Sequence, residues 1–171
     1  MNERVWRVWV SIRVLATAAV MVLSGSTLAA QGTGLSFSGL DQVRGLPVEV
    51  TADELQVNNA TGETIFSGNA VLGQGEMRIA AQEIRIIYAA AENGRIQRLE
   101  ASGGVTFVTA EEAAEAHSAI YEVAQGRVTM RGSVILTQGP NVLSGDSLDV
   151  DLGTGQGQMR GNVRTIIQTS P

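Results

Sequence analysis

The chain has no cysteine, no lysine, a single histidine, three prolines and only seven aromatic residues among its 171. Without cysteine there can be no disulfide framework, no thiolate nucleophile and no Cys-ligated zinc or iron–sulfur centre. One histidine, His117, argues against a His-based metal site and against a Ser-His-Asp triad. The missing lysines leave arginine as the carrier of every positive side-chain charge except that of His117, so any phosphate contact must use arginine. No hydrophobic run reaches the ~20 residues that span a bilayer as a helix. Composition thus argues against most enzymes, and no metal, no cofactor and no catalytic residue is expected.

What is present is glycine, 20 residues of it, in a chain that is 44% hydrophobic and 17% charged. That balance is too apolar for a disordered chain and too glycine-rich for a helical bundle. The length allows one domain of ordinary size.

The first residues stand apart. Arg4, Arg7 and Arg13 face one acid, Glu3; Val14–Leu23 (VLATAAVMVL) is a short uncharged hydrophobic run; small residues follow to Ala29 and Ala30. Basic, then apolar, then small is the layout of a secretory signal peptide, expected over residues 1–29 with cleavage after Ala29. An uncleaved membrane anchor is the other reading of the same stretch. Removing three of the twelve arginines and one of the seventeen acids leaves a net charge of −7. A net acid speaks against nucleic acid as a partner. The expected destination is the periplasm or the cell exterior. Residues 30–46 are Gly/Ser-rich without a repeat and read as a flexible leader to a domain over 47–168.

From Pro47 onward the dominant signal is alternation. Val48-Glu49-Val50-Thr51, Leu55-Gln56-Val57, Ile84-Arg85-Ile86, Val128-Thr129-Met130-Arg131 and Leu148-Asp149-Val150-Asp151 each alternate apolar with polar. Period two means strands with one buried and one wet face. Turn signals lie between them: Asn58 to Gly62, Glu92-Asn93-Gly94, Gln125-Gly126 and Gly153-Thr154-Gly155. The one helix-like stretch, Ala110–Ala116 (AEEAAEA), reads as a loop with a frayed turn.

The spacing also repeats. Gly68 heads Gly-Asn-Ala-Val-Leu, and 64 residues later Gly132 heads Gly-Ser-Val-Ile-Leu; Gly62 and Gly126, and Asp53 and His117, share that offset. Within each unit, polar positions recur at Asp53, Gln82, His117 and Asp146, read as strand starts. Glycines opening apolar strands recur at Gly68, Gly103, Gly132 and Gly161. A strand-turn-strand module copied about four times cannot close a core alone and must stack on its neighbours. The expected fold is therefore all-β: an elongated pair of antiparallel layers, sixteen or so strands, with an aliphatic interior. Its inner face is assigned to Leu55, Val57, Phe66, Ile84, Ile86, Val108, Tyr121, Val123, Met130, Leu148 and Val150. Such a stripe fills a sandwich core or, with few aromatics to plug it, leaves a slot for acyl chains.

The repeated pattern resembles the LptA/OstA family of periplasmic lipopolysaccharide-transport proteins. The resemblance rests on Val48-Glu49-Val50-Thr51-Ala52-Asp53, Phe66-Ser67-Gly68-Asn69-Ala70-Val71-Leu72, Gln74-Gly75 and Ile96 to Gly103. It continues through Ala116-His117, Tyr121-Glu122-Val123, Gly132 to Gly139 and Val142 to Asp146. Gln82 and His117 stand where the family pattern usually shows aspartate. The resemblance implies a folded-over β-jellyroll, V-shaped in section, whose groove holds lipid A acyl chains. Val48 and Val50 join the inner residues above as the implied lipid-binding set. It further implies end-to-end self-association by strand pairing, and like-folded partners: an LptC-like inner-membrane protein and an LptD-like outer-membrane protein. The expected function is to carry lipopolysaccharide between the two membranes for outer-membrane assembly.

Two alternatives stand beside it. A membrane-tethered LptC-like partner of the same fold would keep its N-terminal segment. A carbohydrate-active β-solenoid would need an acid and a base, for which Asp149 with Asp151, or Glu111 with Glu112, could be put forward. Alternation sets Asp149 and Asp151 on a solvated face opposite Leu148 and Val150 instead.

Overall fold

The computed structural model describes residues 34–58, 60–89 and 94–168, all within the compact unit Gln31–Pro171. The expected signal peptide lies outside the described residues. Among those described, no helix is long and apolar enough to cross a membrane. The unit is nearly all strand: β1 (Gly34–Ser36), β2 (Glu49–Thr51), β3 (Glu54–Asn58), β4 (Glu63–Gln74), β5 (Met77–Tyr88), β6 (Ile96–Val108), β7 (Glu112–Glu122), β8 (Arg127–Gln138), β9 (Asn141–Asp151), β10 (Gln156–Arg160) and β11 (Arg164–Ile166). One 3-10 turn, Leu40–Gln42, follows β1. All pairings are antiparallel and form one sheet in the order β1-β10-β9-β8-β7-β6-β5-β4-β2, with β3 also on β4 and β11 also on β9.

Strands β4 to β9 are about twice the usual five or six residues, and each pairing among them slips register near its middle. The slips fall between Ser67 and Ala70, Ala80 and Glu83, Ser102 and Val105, Glu115 and Ser118, and Arg131 and Val134. They line up across the sheet, and at the line stand residue pairs in the left-handed region: Gly68-Asn69, Gly103-Gly104, Gly132-Ser133 and Gly161-Asn162. Two successive residues at positive φ turn a strand sharply without ending its pairing, as a bulge does. The outermost courses break outright here, β2 from β3 at Asp53 and β10 from β11 at Gly161-Asn162.

Four glycines on this fold line lie under a polar side chain of the neighbouring course. A methyl group on Gly68, Gly103, Gly132 or Gly161 would overlap Asp53, Gln82, His117 or Asp146 respectively. The Asp53, His117 and Asp146 rungs are hydrogen-bonded. The Asp53 N–H donates to the Gly68 carbonyl and the Asp146 N–H to that of Gly161, both at 2.9 Å. Asn69 and Asn162 amides donate to the Asp53 and Asp146 carboxylates at 2.8 and 2.9 Å, and His117 Nδ1 lies 2.9 Å from the Gly132 carbonyl. The eight recurring positions in the sequence are thus four touching pairs. Six of them sit inside strands and not at strand starts, because the double left-handed steps on β4, β6 and β8 bend those strands instead of opening them, whereas Asp53 and Gly161 stand at the breaks just before β3 and just after β10.

The bend folds the sheet onto itself. One layer holds the N-terminal halves of β4, β6 and β8, the C-terminal halves of β5, β7 and β9, and β3, β10 and β1; the other holds the remaining halves with β2 and β11. That is eight strand segments in each layer, with β1 as a ninth in the first. Tyr121 of the first layer donates its hydroxyl to Gln74 of the second at 2.7 Å, which ties the layers across the interior. Between them Phe107, Met77, Met130, Leu136, Leu148, Val128 and Val134 are fully buried, each worth roughly 1.5–3 kcal/mol of transfer free energy.

Two expectations are corrected. The leader expected over 30–46 is, from residue 34 on, part of the folded body: β1 pairs with β10, and Leu35, Phe37, Leu40 and Val43 are buried. Its apolar side chains join the core cluster instead of facing water. The loop expected at Ala110–Ala116 is instead the start of β7, paired on both sides with β6 and β8 from Glu112 or Ala113 on. Ladder pairing on two sides overrides the intrinsic preference of alanine and glutamate.

Candidate functional site

Register builds the interior as rows that run across the strands. In the first layer one row passes Leu55, Phe66, Ile84, Ala101, Ala119, Met130, Leu148 and Met159, one residue per strand from β3 to β10. A second passes Val57, Thr64, Ile86, Leu99, Tyr121, Val128 and Val150 to Gly157 and Leu35. The facing layer answers with Val50, Leu72, Ile79, Phe107, Ala114, Leu136 and Leu143. Side chains two apart on a strand share a face, so the first row is a continuous apolar stripe from β3 to β10, the second carries Thr64 among its apolar residues, and the facing row runs from β2 to β9.

The residues expected on the inner face divide into three groups. Ile84, Ile86, Tyr121, Met130, Leu148 and Val150 are buried between the layers, and Val48, Val50, Phe66 and Val123 are partly buried against them. Leu55 and Val57 point to the same face but are 57% and 58% exposed, because β3 is an edge strand that nothing covers. Val108 is a correction: Val105 and Phe107 hold the inward positions of β6, which puts Val108 opposite Arg78 on the outer side. The inner residues of the second layer (Leu72, Met77, Ile79, Leu136 and Leu143) were not assigned from sequence, although Leu72/Gln74 and Met77/Ile79 alternate.

Polar groups inside are few and satisfied; among the described residues no buried side-chain polar atom lacks a partner. Burial pushes the Tyr121 hydroxyl above its ordinary value, against the opposing effect of its bond to Gln74. Gln74 in turn donates to the Leu46 carbonyl at 2.9 Å. Glu112, also buried, accepts from the Thr109 hydroxyl, from Gln138 and from the Ser38 N–H. One enclosed space between the layers, of about 10 Å³, is lined by Leu72, Ile79, Ile84, Leu99, Ala101, Ala119 and Tyr121. The large hollows are open and lie on the outer faces. One of about 470 Å³ is bordered by Arg127, Asp149, Asp151 and Arg160, and another of about 380 Å³ lies beside Pro47, Glu49 and Thr51.

The acids weighed as a catalytic pair hold structure together. Asp149 accepts from the Thr129 hydroxyl at 2.8 Å and pairs with Arg160. Asp151 accepts from the Gly153 and Thr154 N–H groups at 2.9 and 3.0 Å, closing the β9–β10 turn. The Thr154 bond first and the Gly153 bond second hold the Asp151 carboxyl below its ordinary value of 3.8. A depressed folded-state value means the ionised form favours the fold above the unfolded value, and that contribution fades as pH falls through the folded one. Asp151→Asn should therefore melt slightly lower than the unaltered chain at neutral pH, with a gap that narrows on acidification below 3.8 in calorimetric melts at several pH values. Among the described residues, no three His, Asp or Glu gather as metal ligands would.

Comparison with known proteins places this geometry. The profile of the family described as "LptA/(LptD N-terminal domain) LPS transport protein" matches residues 49–156. A protein of Rhizobium meliloti (strain 1021), itself described as uncharacterised, is 28% identical over 158 residues, covering 86% of this chain and 85% of that one. Among solved structures, LptH, "the LptA homologous periplasmic component of the conserved lipopolysaccharide transport device from Pseudomonas aeruginosa", superposes with a TM-score of 0.65. It is 18% identical, and the match covers 74% of this chain and 99% of LptH.

Proposed function

We propose, since the chain belongs to the LptA/LptD N-terminal family of lipopolysaccharide transport proteins, that it is a periplasmic carrier that binds lipopolysaccharide by its acyl chains between the two strand layers. The observation that supports this most is the apolar row from Leu55 to Met159, continuous across the sheet and uncovered at its Leu55 end. Acyl chains need no more than apolar surface that outcompetes water, so a row of aliphatic side chains suffices and no bond is made or broken. The carrier works by differential binding, with direction imposed from outside it.

The bridge between membranes uses the ends of the sheet. The second layer ends in β2 on one side and β11 on the other, each paired on one side only, and the first ends in β3. Exposed aliphatic residues accompany these edges: Leu55 and Val57 at one end, Val163, Ile166 and Ile167 at the other. Unpaired edges of this kind accept another strand, from a second copy or from like-folded LptC-like and LptD-like partners. Ile166→Pro removes one donor from the β11 edge, where a proline is tolerated. It should convert concentration-dependent oligomers to monomers in native mass spectrometry while the melting temperature stays near that of the unaltered chain. Oligomers persisting in that variant count against edge pairing.

The carrier reading itself is tested by photo-crosslinking in cells from Phe66 and Val50, with Glu115, on an outer face, as control. Lipopolysaccharide adducts from the first two and none from the third are expected; equal yields, or none at all, would overturn it.

A further inference from the structure

Residues 34–46 cross between the two layers. At the N-terminal end β1 extends the first layer beyond β10, and the Phe37 N–H donates to the Gly155 carbonyl at 2.6 Å. Phe37 then packs edge-on against Phe107 of the second layer, ring centres 6.2 Å apart. The Ser38 N–H reaches Glu112, and the Ser36 carbonyl accepts from Gln138, both on the second layer. At the far end the Leu46 carbonyl is held by Gln74, and the chain continues directly into β2 of the second layer. The segment therefore lies as a strap along the lips of the folded sheet, where the hairpin turns of the two layers face each other.

Its bed is shaped to receive it. A methyl group on Gly155 or Gly157 would overlap Phe37, one on Gly126 or Gly153 would meet Arg44, and one on Gly75 would meet Leu46. Four apolar strap residues, Leu35, Phe37, Leu40 and Val43, are buried in this position. With the strap seated, the enclosed space of about 10 Å³ is at the lower limit of what one water needs. An acyl chain has no room.

We propose that this strap is a stand-in for cargo: its apolar side chains fill the mouth of the cleft, and acyl chains enter by peeling it from β10 and taking its place. The proposal rests on the carrier reading above. The strap is the element able to leave, because β1 is held by three register pairs whereas β4 and β5 share ten. It also stays tethered through β2, so departure is reversible. Competition between strap and cargo keeps the empty cleft dry and makes release to the next acceptor easier, since the strap returns as lipid leaves.

Locking the strap tests this. Ser36 and Gln156 are exposed and directly opposed between β1 and β10. Opposed antiparallel residues have the Cα spacing a disulfide needs, and the chain has no other cysteine to interfere. In the mature protein carrying Ser36→Cys and Gln156→Cys, binding of radiolabelled rough lipopolysaccharide should fall at least tenfold on oxidation and recover fully with reductant. Equal binding by oxidised and reduced forms overturns the strap while leaving the carrier reading intact; no binding by either form or by the unaltered protein overturns both. Should the double variant fail to fold or to form its disulfide, Phe37→Ala serves instead. Its weakened strap should take up the same lipopolysaccharide at least threefold faster, and an unchanged or slower rate overturns the proposal.

Discussion

Phe66→Asp is expected to abolish lipopolysaccharide binding in a chain that still folds. Phe66 stands in the long apolar row next to the uncovered Leu55, with Ile84 on its other side, and is only partly buried. In the empty protein a carboxylate there can turn toward water at the edge, so the cost to folding is moderate. Once acyl chains lie along the row that escape closes, and a charge among methylenes costs several kcal/mol. At about 1.4 kcal/mol per tenfold, affinity should fall a hundredfold or more. The check is equilibrium binding of lipopolysaccharide alongside a melting curve. Unchanged affinity in the folded variant would remove the row from the cargo path.

The largest expected effect on stability comes from the fold line. Gly132→Ala places a methyl group onto His117 while φ is +87°. Gly104 shares that φ but has nothing within 4 Å of a would-be methyl group. Gly104→Ala should therefore lose only the left-handed conformational term, about 1–2 kcal/mol. Gly132→Ala loses the same amount and must also displace the imidazole from its contact with the Gly132 carbonyl, which brings the loss to about 3 kcal/mol or more. For a domain of this size that is a difference of several degrees between the two variants in melting temperature. Equal melting temperatures would show that the glycine–side-chain rungs contribute little beyond backbone conformation.

The sequence made some of this legible and hid the rest for physical reasons. Strand alternation is local, so the all-β class and most of the inner face (Ile84, Ile86, Met130, Leu148, Val150) could be read two residues at a time. The glycine spacing was visible as well, but whether Gly68 and Gly132 begin strands or bend them depends on the φ of the following residue, which spacing does not carry. Val108 follows Phe107, and two adjacent apolar residues leave the parity open; packing put the larger one inside. Leu55 and Val57 were read onto the correct face, but whether a face is covered is decided by the next strand, and β3 has none. The strap was missed because its only alternation, Leu35 and Phe37, sits among glycine and serine, and its partner β10 lies more than 100 residues away.

That distance carries a kinetic consequence. Almost every other pairing in the sheet joins courses that are neighbours in the chain, so each hairpin can form as soon as its two arms exist, at small loop-closure cost. The pairing of Gly34–Ser36 with Gln156–Gln158 spans nearly the whole domain. The first of the described strands to emerge during synthesis is thus the last to find its place. Until β10 arrives, Leu35, Phe37, Leu40 and Val43 remain available to whatever apolar surface meets them first, which makes residues 34–46 the segment that a chaperone would have most reason to hold.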